Sequence, residues 1–281
     1  MAISDYPPLP TPLKHGIYDN HTHLQMVRFG EEDISIDVDT ALDLAEASGV
    51  VGVVYVGTDS ESSGYAVDLA ERDSRVLAAV ALHPNDAAEL EQAGTLDTEL
   101  AKIEGFGSHP RVRAFGETGI DFFRTESELG RSGQIRSFEA HIEWAKRFGK
   151  AVQIHDRDAH DEVVATLKRV GAPEKTVFHC FSGDIELAKI CADNGWYTSF
   201  AGTVTFNNSK GIQEAAKYIP QELILTETDA PFLAPAPYRG KPNSSFATVY
   251  TLRFIAELRG IDAEELAEQV DKNTRAVYGE W

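Results

Sequence analysis

Ile17-Tyr18-Asp19-Asn20-His21-Thr22-His23 is a short apolar run that passes directly into a D-x-H-x-H tract. The run reads as a β-strand and the tract as its end. Side chains alternate faces along a strand, so Asp19, His21 and His23 project to one side. Two imidazoles at that spacing can hold one metal ion, with the carboxylate as a nearby acceptor. Taken alone, the same tract also fits two solvated histidines at a strand end. What decides between these readings is whether other strands end in matching chemistry.

Seven more apolar, β-prone runs follow, at 50–57, 76–84, 112–121, 150–157, 175–183, 196–202 and 223–231; with 16–24 they make eight. Helical patterns separate them at 39–48, 60–73, 96–103, 134–148, 158–170, 184–194 and 209–218, and two more at 245–259 and 262–278 finish the chain. The 134–148 segment spaces Ile135, Phe138, Ile142 and Ala145 on one face and stops at Gly149. Strand and helix alternating eight times predicts parallel βα units closing into a single (β/α)8 TIM barrel. An open doubly wound sheet is the runner-up, but no G-x-G-x-x-G fingerprint follows a strand. No repeat, low-complexity block or linker divides the sequence. The expectation is one metallohydrolase domain over 1–281, with 1–15 as a proline-rich lead-in.

Composition narrows the function. The 281 residues suit one α/β barrel, and 42% hydrophobic content can fill its core. No apolar run approaches the ~18 residues of a membrane span. The segment 1–14 carries Asp5 and no apolar h-region, so no secretory signal is expected there. Two cysteines, Cys180 and Cys191, are too few for a disulfide framework and suit the cytoplasm. A formal net charge of −19 argues against a broad nucleic-acid-binding surface, while leaving room for a local site with its own cations.

In a barrel, reactive groups belong at the C-terminal ends of strands. The first strand ends in His21 and His23. The fourth ends in Gly116-Glu117-Thr118-Gly119-Ile120-Asp121, a carboxylate between small neighbours; the fifth ends in Ile154-His155-Asp156-Arg157. The sixth ends in His179-Cys180-Phe181-Ser182-Gly183, and the eighth in Glu227-Thr228-Asp229-Ala230-Pro231. Four histidines with carboxylates exceed the needs of one tetrahedral ion. They suit two divalent ions a few Å apart, with His21, His23, Glu117, His155, His179 and Asp229 as ligands and Glu117 shared. Such a pair activates water and clamps both oxygens of a displacement. Asp229 would orient the attacking water or accept its proton, and Glu117 and Asp229 are the expected catalytic carboxylates. Glu227, read as lying on the same strand face as Asp229, and Asp19 are expected behind the ligands, steadying them. Mixed nitrogen and oxygen donors leave the ion open among Mg, Mn, Zn, Fe and Co.

The ordered set D-x-H-x-H, G-E-T-G-I-D, I-H-x-R-D-A at 154–159, H-C-F-S-G and E-T-D-A-P resembles the TatD family of metal-dependent hydrolases. The resemblance runs from Tyr18 to the closing Asn273-Thr274-Arg275-Ala276-Val277-Tyr278. It implies a TIM barrel of the amidohydrolase type and metal-dependent phosphodiester hydrolysis, described as 3′-to-5′ exonuclease or general DNase activity. Carried over position by position, the family's ligands fall on the same six residues. Two departures stand out. The loop Tyr238-Arg239-Gly240-Lys241-Pro242-Asn243-Ser244-Ser245 lacks the arginine-asparagine-glutamate-proline run common in the family, and His141 stands where glutamine is usual.

His83, at the end of the third strand, is either a substrate contact or a structural cap. Arg157, Arg239 and Lys241, with Arg124, lie on loops at the same rim and can bind phosphate or be ordinary surface charge. His15, His109, His141 and His160 stand outside any motif and are expected at solvated positions. Cys180, next to His179 on a strand, is expected to point into the core. Phe122 or Phe123 could stack a base at the site entrance, though core and rim packing also explains them. The expected substrate is single-stranded DNA or DNA ends, with no membrane and no obligate protein partner. The alternatives are a small-molecule metallohydrolase acting on a phosphoester, lactone or amide, and a barrel whose metal is only structural.

Overall fold

All eight apolar runs form strands in the computed structural model of the protein, which describes residues 3–24, 28–29, 32–33 and 36–281. Packing divides the chain into two units, Met1–Tyr55 with Gly183–Trp281, and Val56–Ser182.

The first unit opens with the lead-in, from which Tyr6 is buried against Phe246 and Ala247. Strand β1 (Ile17–Thr22) follows, then a short antiparallel pair, β2 (Arg28–Phe29) and β3 (Glu32–Asp33). Helix α1 (Val38–Ala47) starts at Asp37, whose carboxylate accepts the Thr40 N–H and satisfies one of the free donors of the first turn. Strand β4 (Val50–Val56) runs parallel to β1, with Asp19 opposite Val53 and Thr22 opposite Tyr55.

The second unit contains α2 (Ser60–Arg72), β5 (Val76–Val80), α3 (Pro84–Ala93), α4 (Leu96–Gly105), β6 (Val112–Asp121), α5 (Glu128–Phe148), β7 (Ala151–Arg157), α6 (His160–Val170) and β8 (Thr176–Phe178). Its strands β5 to β8 pair in chain order and all in parallel. Val76 to Val80 are buried without alternation, as expected for a parallel strand covered on both faces. Two helices differ from expectation. Helix α3 was not expected: only Ala87 and Ala88 follow Pro84 on its buried side, a weak stripe, and its limits are set by Pro84 in the first turn and left-handed Gly94 at the end. Helix α5 starts at Glu128, six residues before the expected 134, because the Ser127 hydroxyl accepts the Gly130 N–H and caps the first turn.

The chain then returns to the first unit through α7 (Ile185–Asn194), β9 (Tyr197–Phe200), α8 (Lys210–Tyr218), β10 (Ile224–Thr226), α9 (Thr248–Arg259) and α10 (Ala263–Tyr278). Strands β9 and β10 are parallel. Asn273 on α10 donates to the carbonyls of Gln221 and Ile224, and Thr274 donates to Asn20, so the last helix braces both β10 and β1. Among the described residues, no helix is long and apolar enough to cross a membrane.

Candidate metal centre

In the first unit the D-x-H-x-H tract meets the segment that follows β10. The Asp229 N–H donates to the His21 carbonyl at 2.9 Å and the His23 N–H to the Ala230 carbonyl at 2.8 Å. This pairing holds Asp229 beside the two rings. His21 Nε2 and His23 Nε2 are 3.2 Å apart, and Asp229 Oδ1 lies 3.8 and 3.3 Å from them. Three ligand atoms of mixed nitrogen and oxygen type converge on one point, the donor set a divalent ion such as Zn or Mn takes. Asp229 does not share a strand face with Glu227, because β10 ends at Thr226 and Asp229 has φ +55°. The turn, and not strand alternation, aims its carboxylate.

Asp19 lies behind this cluster. Its Oδ1 accepts the Thr228 N–H at 2.8 Å and its Oδ2 the Thr228 hydroxyl at 2.5 Å, which fixes the residue before Asp229. Burial pushes the Asp19 carboxyl up to about 7, against the hydrogen bonds from Thr228 and Ser245. Glu227 is fully buried as well. Asn243, in the loop that departs from the family pattern, donates to the carbonyls of Thr228 and Phe232 and braces the same turn.

In the second unit the carboxylate of Glu117 is the focus. His155 Nδ1 lies 2.5 Å from its Oε1, His179 Nε2 2.8 Å and His83 Nε2 3.5 Å. Local backbone explains this convergence. Phe115 pairs with Val152 but Thr118 with Ile154, so an extra residue on β6 turns Glu117 towards the histidines. At Gly119, φ is +137° and a Cβ would stand 2.1 Å from the His155 carbonyl oxygen, so only glycine lets β6 and β7 approach here.

Charge in this cluster is balanced in one direction. Burial acts to raise the Glu117 pKa, but the His179 and His83 charges and the bonds from His155 and His179 outweigh it, holding the carboxyl well below the usual range. Burial likewise opposes a charge on His155, yet hydrogen bonds to Asp121 and Glu117 lift that imidazole to about 9. Both its ring nitrogens face carboxylates, with Asp121 Oδ2 3.3 Å from Nε2. The pocket therefore demands positive charge, which a proton or a metal cation can supply.

His83 is drawn into this group, but the hydrogen-bond pattern sets its role. Its Nδ1 accepts the Asn85 N–H at 3.1 Å, so in the neutral ring the proton sits on Nε2. A protonated Nε2 cannot ligate a metal; it is a donor facing Glu117. His83 is thus the cap of α3 and at the same time a donor at the cluster.

The candidate cationic contacts divide. The Arg157 guanidinium lies 3.9 Å over the Phe123 ring, two residues beyond His155 on the same face of β7. Arg239 lies 4.5 Å over Phe206. Lys241, expected at the rim, instead lines a cavity with Ser4, Tyr6, Pro8, Leu44 and Phe246, none of them a candidate ligand. The loop folds back on the lead-in, which sequence order could not show. Cys180 is also not on a strand: β8 ends at Phe178 and Cys180 turns with φ +41°.

The other histidines do not share one environment. His141, expected to be solvated, is fully buried on α5; its Nδ1 donates to the Ser137 carbonyl and its Nε2 accepts the Leu82 N–H. Burial depresses it to about 4. Partly exposed His15 and His160 pair with Asp271 and Asp156, and His109 with Glu71. Asp121 had no expected role. The G-E-T-G-I-D spacing carried a signal for it, since residues 119 and 121 share a face and Gly119 pairs with His155.

The sequence profile of the family described as "TatD related DNase" matches residues 18–279. The chain belongs to this TatD family. A Mycobacterium tuberculosis protein described as "uncharacterized metal-dependent hydrolase TatD" is 41% identical over 264 residues, 93% of this chain and 97% of that protein. The Bacillus subtilis "uncharacterized metal-dependent hydrolase YabD" is 34% identical, with 93% and 98% covered. Among solved structures, the TatD homologue YJJV of Escherichia coli superposes with a TM-score of 0.82 at 26% identity over 93% of this chain and 97% of that one. The fold is therefore the (β/α)8 barrel and not the open sheet. The protein is a metal-dependent hydrolase of the TatD family, with His, Glu and Asp clusters suited to binding metal.

Proposed function

We propose that this TatD-family hydrolase cleaves phosphodiester bonds, acting as a 3′-to-5′ exodeoxyribonuclease on single-stranded DNA or DNA ends. The observation that carries the reading is the pair of mixed-donor clusters, His21, His23 and Asp229 in one unit, and Glu117, His155 and His179 in the other. The reading places one divalent ion, Mg, Mn or Zn, on each. Bound there, the ions lower the pKa of water and neutralise charge on phosphoryl oxygens.

The chain's own groups do the rest. Asp229 accepts the proton of the attacking water as its oxygen bonds to phosphorus and the P–O3′ bond breaks. The Nε2–H of His83 donates to a phosphoryl or leaving oxygen. Arg157 and Arg239, each set over an aromatic ring, offer guanidinium groups to phosphates. Asp19 and Asp121 position: one fixes Thr228 beside Asp229, the other the His155 ring. The reading places the protein in the cytoplasm and needs no protein partner. Purified protein supplied with Mg, Mn or Zn should shorten a 3′-accessible single strand, and Asp229→Asn should abolish this with the fold intact. Oligonucleotides left whole under every metal would end the nuclease reading.

A second reading, a small phosphoester as substrate, draws on the net charge of −19, which repels a polyanion. Activity falling steeply with salt favours DNA, and a flat response favours the small substrate.

A further inference from the structure

The turn that follows β6 carries two adjacent aromatic rings in different surroundings. Phe122 lies under Arg131, whose Cζ is 4.4 Å from the ring centroid and whose Nε donates to the Thr125 carbonyl at 2.9 Å. That ring is packed against the turn itself. Phe123 is 58% exposed, the most open large hydrophobic side chain among the described residues. One of its faces is already covered, because the Arg157 Cζ stands over it, 3.9 Å from the centroid. The exposure therefore belongs to the opposite face and the outer edge.

The chain on both sides of Phe123 is fixed. The Phe122 N–H donates to the Arg157 carbonyl at 3.0 Å, and the Arg124 N–H to Asp121 Oδ1 at 2.8 Å. Buried Gln134 accepts the Asp121 N–H, donates back to the Asp121 carbonyl and donates to the Thr125 hydroxyl. The turn is also set beside the Glu117 cluster. Asp121 and Arg157 are the last pair of β6 and β7, and Gly119 and His155 are two residues before them. Water gains nothing from a rigid, open aromatic face there, whereas a flat ligand laid on it removes apolar surface from solvent.

The order of groups selects the ligand. It must present a planar π-face to Phe123, an anionic oxygen to the Arg157 guanidinium, and a hydrolysable bond to the cluster two residues further in. A nucleotide within a strand carries all three within one unit. An alkyl phosphoester lacks the π-face, and an aromatic compound without phosphate leaves Arg157 unused. Every base has a π-face, so recognition of this kind is tolerant of sequence.

We propose that the open face of Phe123 is a stacking platform for one nucleobase of a single-stranded substrate, with Arg157 behind the ring binding a phosphate of the same strand. The proposal deepens the phosphodiesterase reading and rests on it for its biological use. It makes the base, and not the phosphate alone, part of what the enzyme recognises.

The test is calorimetric titration of the full-length, metal-supplied protein with two eight-unit strands. One is oligothymidylate and the other its abasic counterpart, both joined by phosphorothioates so that they survive the titration. Wild type should bind the thymidine strand about fivefold or more tightly than the abasic strand, the contribution expected of one stacked base. In Phe123→Ala the ratio of the two affinities should fall to about one; Phe123→Leu, apolar but without a π-face, should not restore it, and Phe123→Trp should. Phe123 is exposed, so these replacements leave the fold unchallenged. Equal binding of the two strands by wild type, no binding of either, or a ratio that survives Phe123→Ala would overturn the platform. So would a loss shared equally by both strands, since Phe123 would then only seat Arg157. Cleavage of the ordinary phosphodiester strand by wild type reads the activity separately. Cleavage without a base-dependent ratio removes only the platform, and the reverse result removes only the function.

Discussion

Asp121 Oδ2 lies 3.3 Å from His155 Nε2, while Glu117 Oε1 holds the other nitrogen of the same ring. Asp121 is almost wholly buried, and the Arg124 N–H bonded to its other oxygen fixes its orientation. A ring gripped at both nitrogens cannot turn, and its basicity is raised from the side opposite Glu117. Replacing Asp121 by Asn keeps the shape and removes the charge. Metal affinity should then fall about 10–100-fold, as is common when the partner of a ligating histidine is lost. Competition with a chromophoric chelator measures this, and unchanged affinity would show that His155 stays off the metal.

The approach of β6 to β7 gives a second prediction. Gly119 has φ +137° and its missing Cβ would sit 2.1 Å from a backbone oxygen, which cannot move without breaking the strand pair. Gly119→Ala should therefore cost at least about 3 kcal/mol, a steric clash added to an unfavourable backbone angle. Denaturant unfolding reads the loss. A near-neutral result would mean that the two strands have slack at this point.

The lead-in supplies a third. Tyr6 is buried with Phe246 and Ala247, and Ile36, Leu44 and Tyr250 pack around them. The Tyr250 hydroxyl donates to the Pro8 carbonyl, and Arg253 donates to that of Thr11, at 2.7 Å each. The family match starts at residue 18, so this strap lies outside it. Tyr6→Ala should cost roughly 2–4 kcal/mol, in the range of large-to-small core substitutions. Its thermal midpoint should drop by several degrees. An unchanged midpoint would show that the strap adds no stability.

What could be read in advance follows from the range of each interaction. Strand ends were legible because an apolar run and the reactive residue closing it are neighbours in sequence: Ile17 leads to His21, and Ile154 to His155. Helix α3 was not, since its apolar face is two alanines and its limits rest on Pro84 and Gly94. Asp229 sits on a left-handed turn and not on the strand face assumed for it; the E-T-D-A-P tract marks the residue, while the turn aims it. Lys241 and His141 were misplaced for one reason. The cavity lined by Lys241 is shared with Tyr6, and the bond to His141 comes from the Leu82 N–H, 59 positions away. Partners that distant leave no local pattern.

His141 sets the last prediction. Its ring is fully buried, donating from Nδ1 to the Ser137 carbonyl and accepting the Leu82 N–H at Nε2. A second proton would have to displace the Leu82 bond inside an apolar layer formed with Phe115 and Trp144. Burial accordingly lowers the folded-state pKa to about 4, from 6.5 for an unconstrained histidine. Above 6.5 the ring is neutral in both states and the stability is complete. As pH falls from 6.5 towards 4, the unfolded chain takes up a proton that the folded chain refuses, so stability is lost on the acid side. The loss should reach roughly 2–3 kcal/mol between pH 7 and pH 4.5. Glutamine at this position cannot be protonated, yet can still donate to Ser137 or accept from Leu82. The stability difference between wild type and His141→Gln should therefore shift towards the variant by that amount over the same interval, read from urea unfolding at each pH. A difference independent of pH would mean that the folded protein admits the proton at His141.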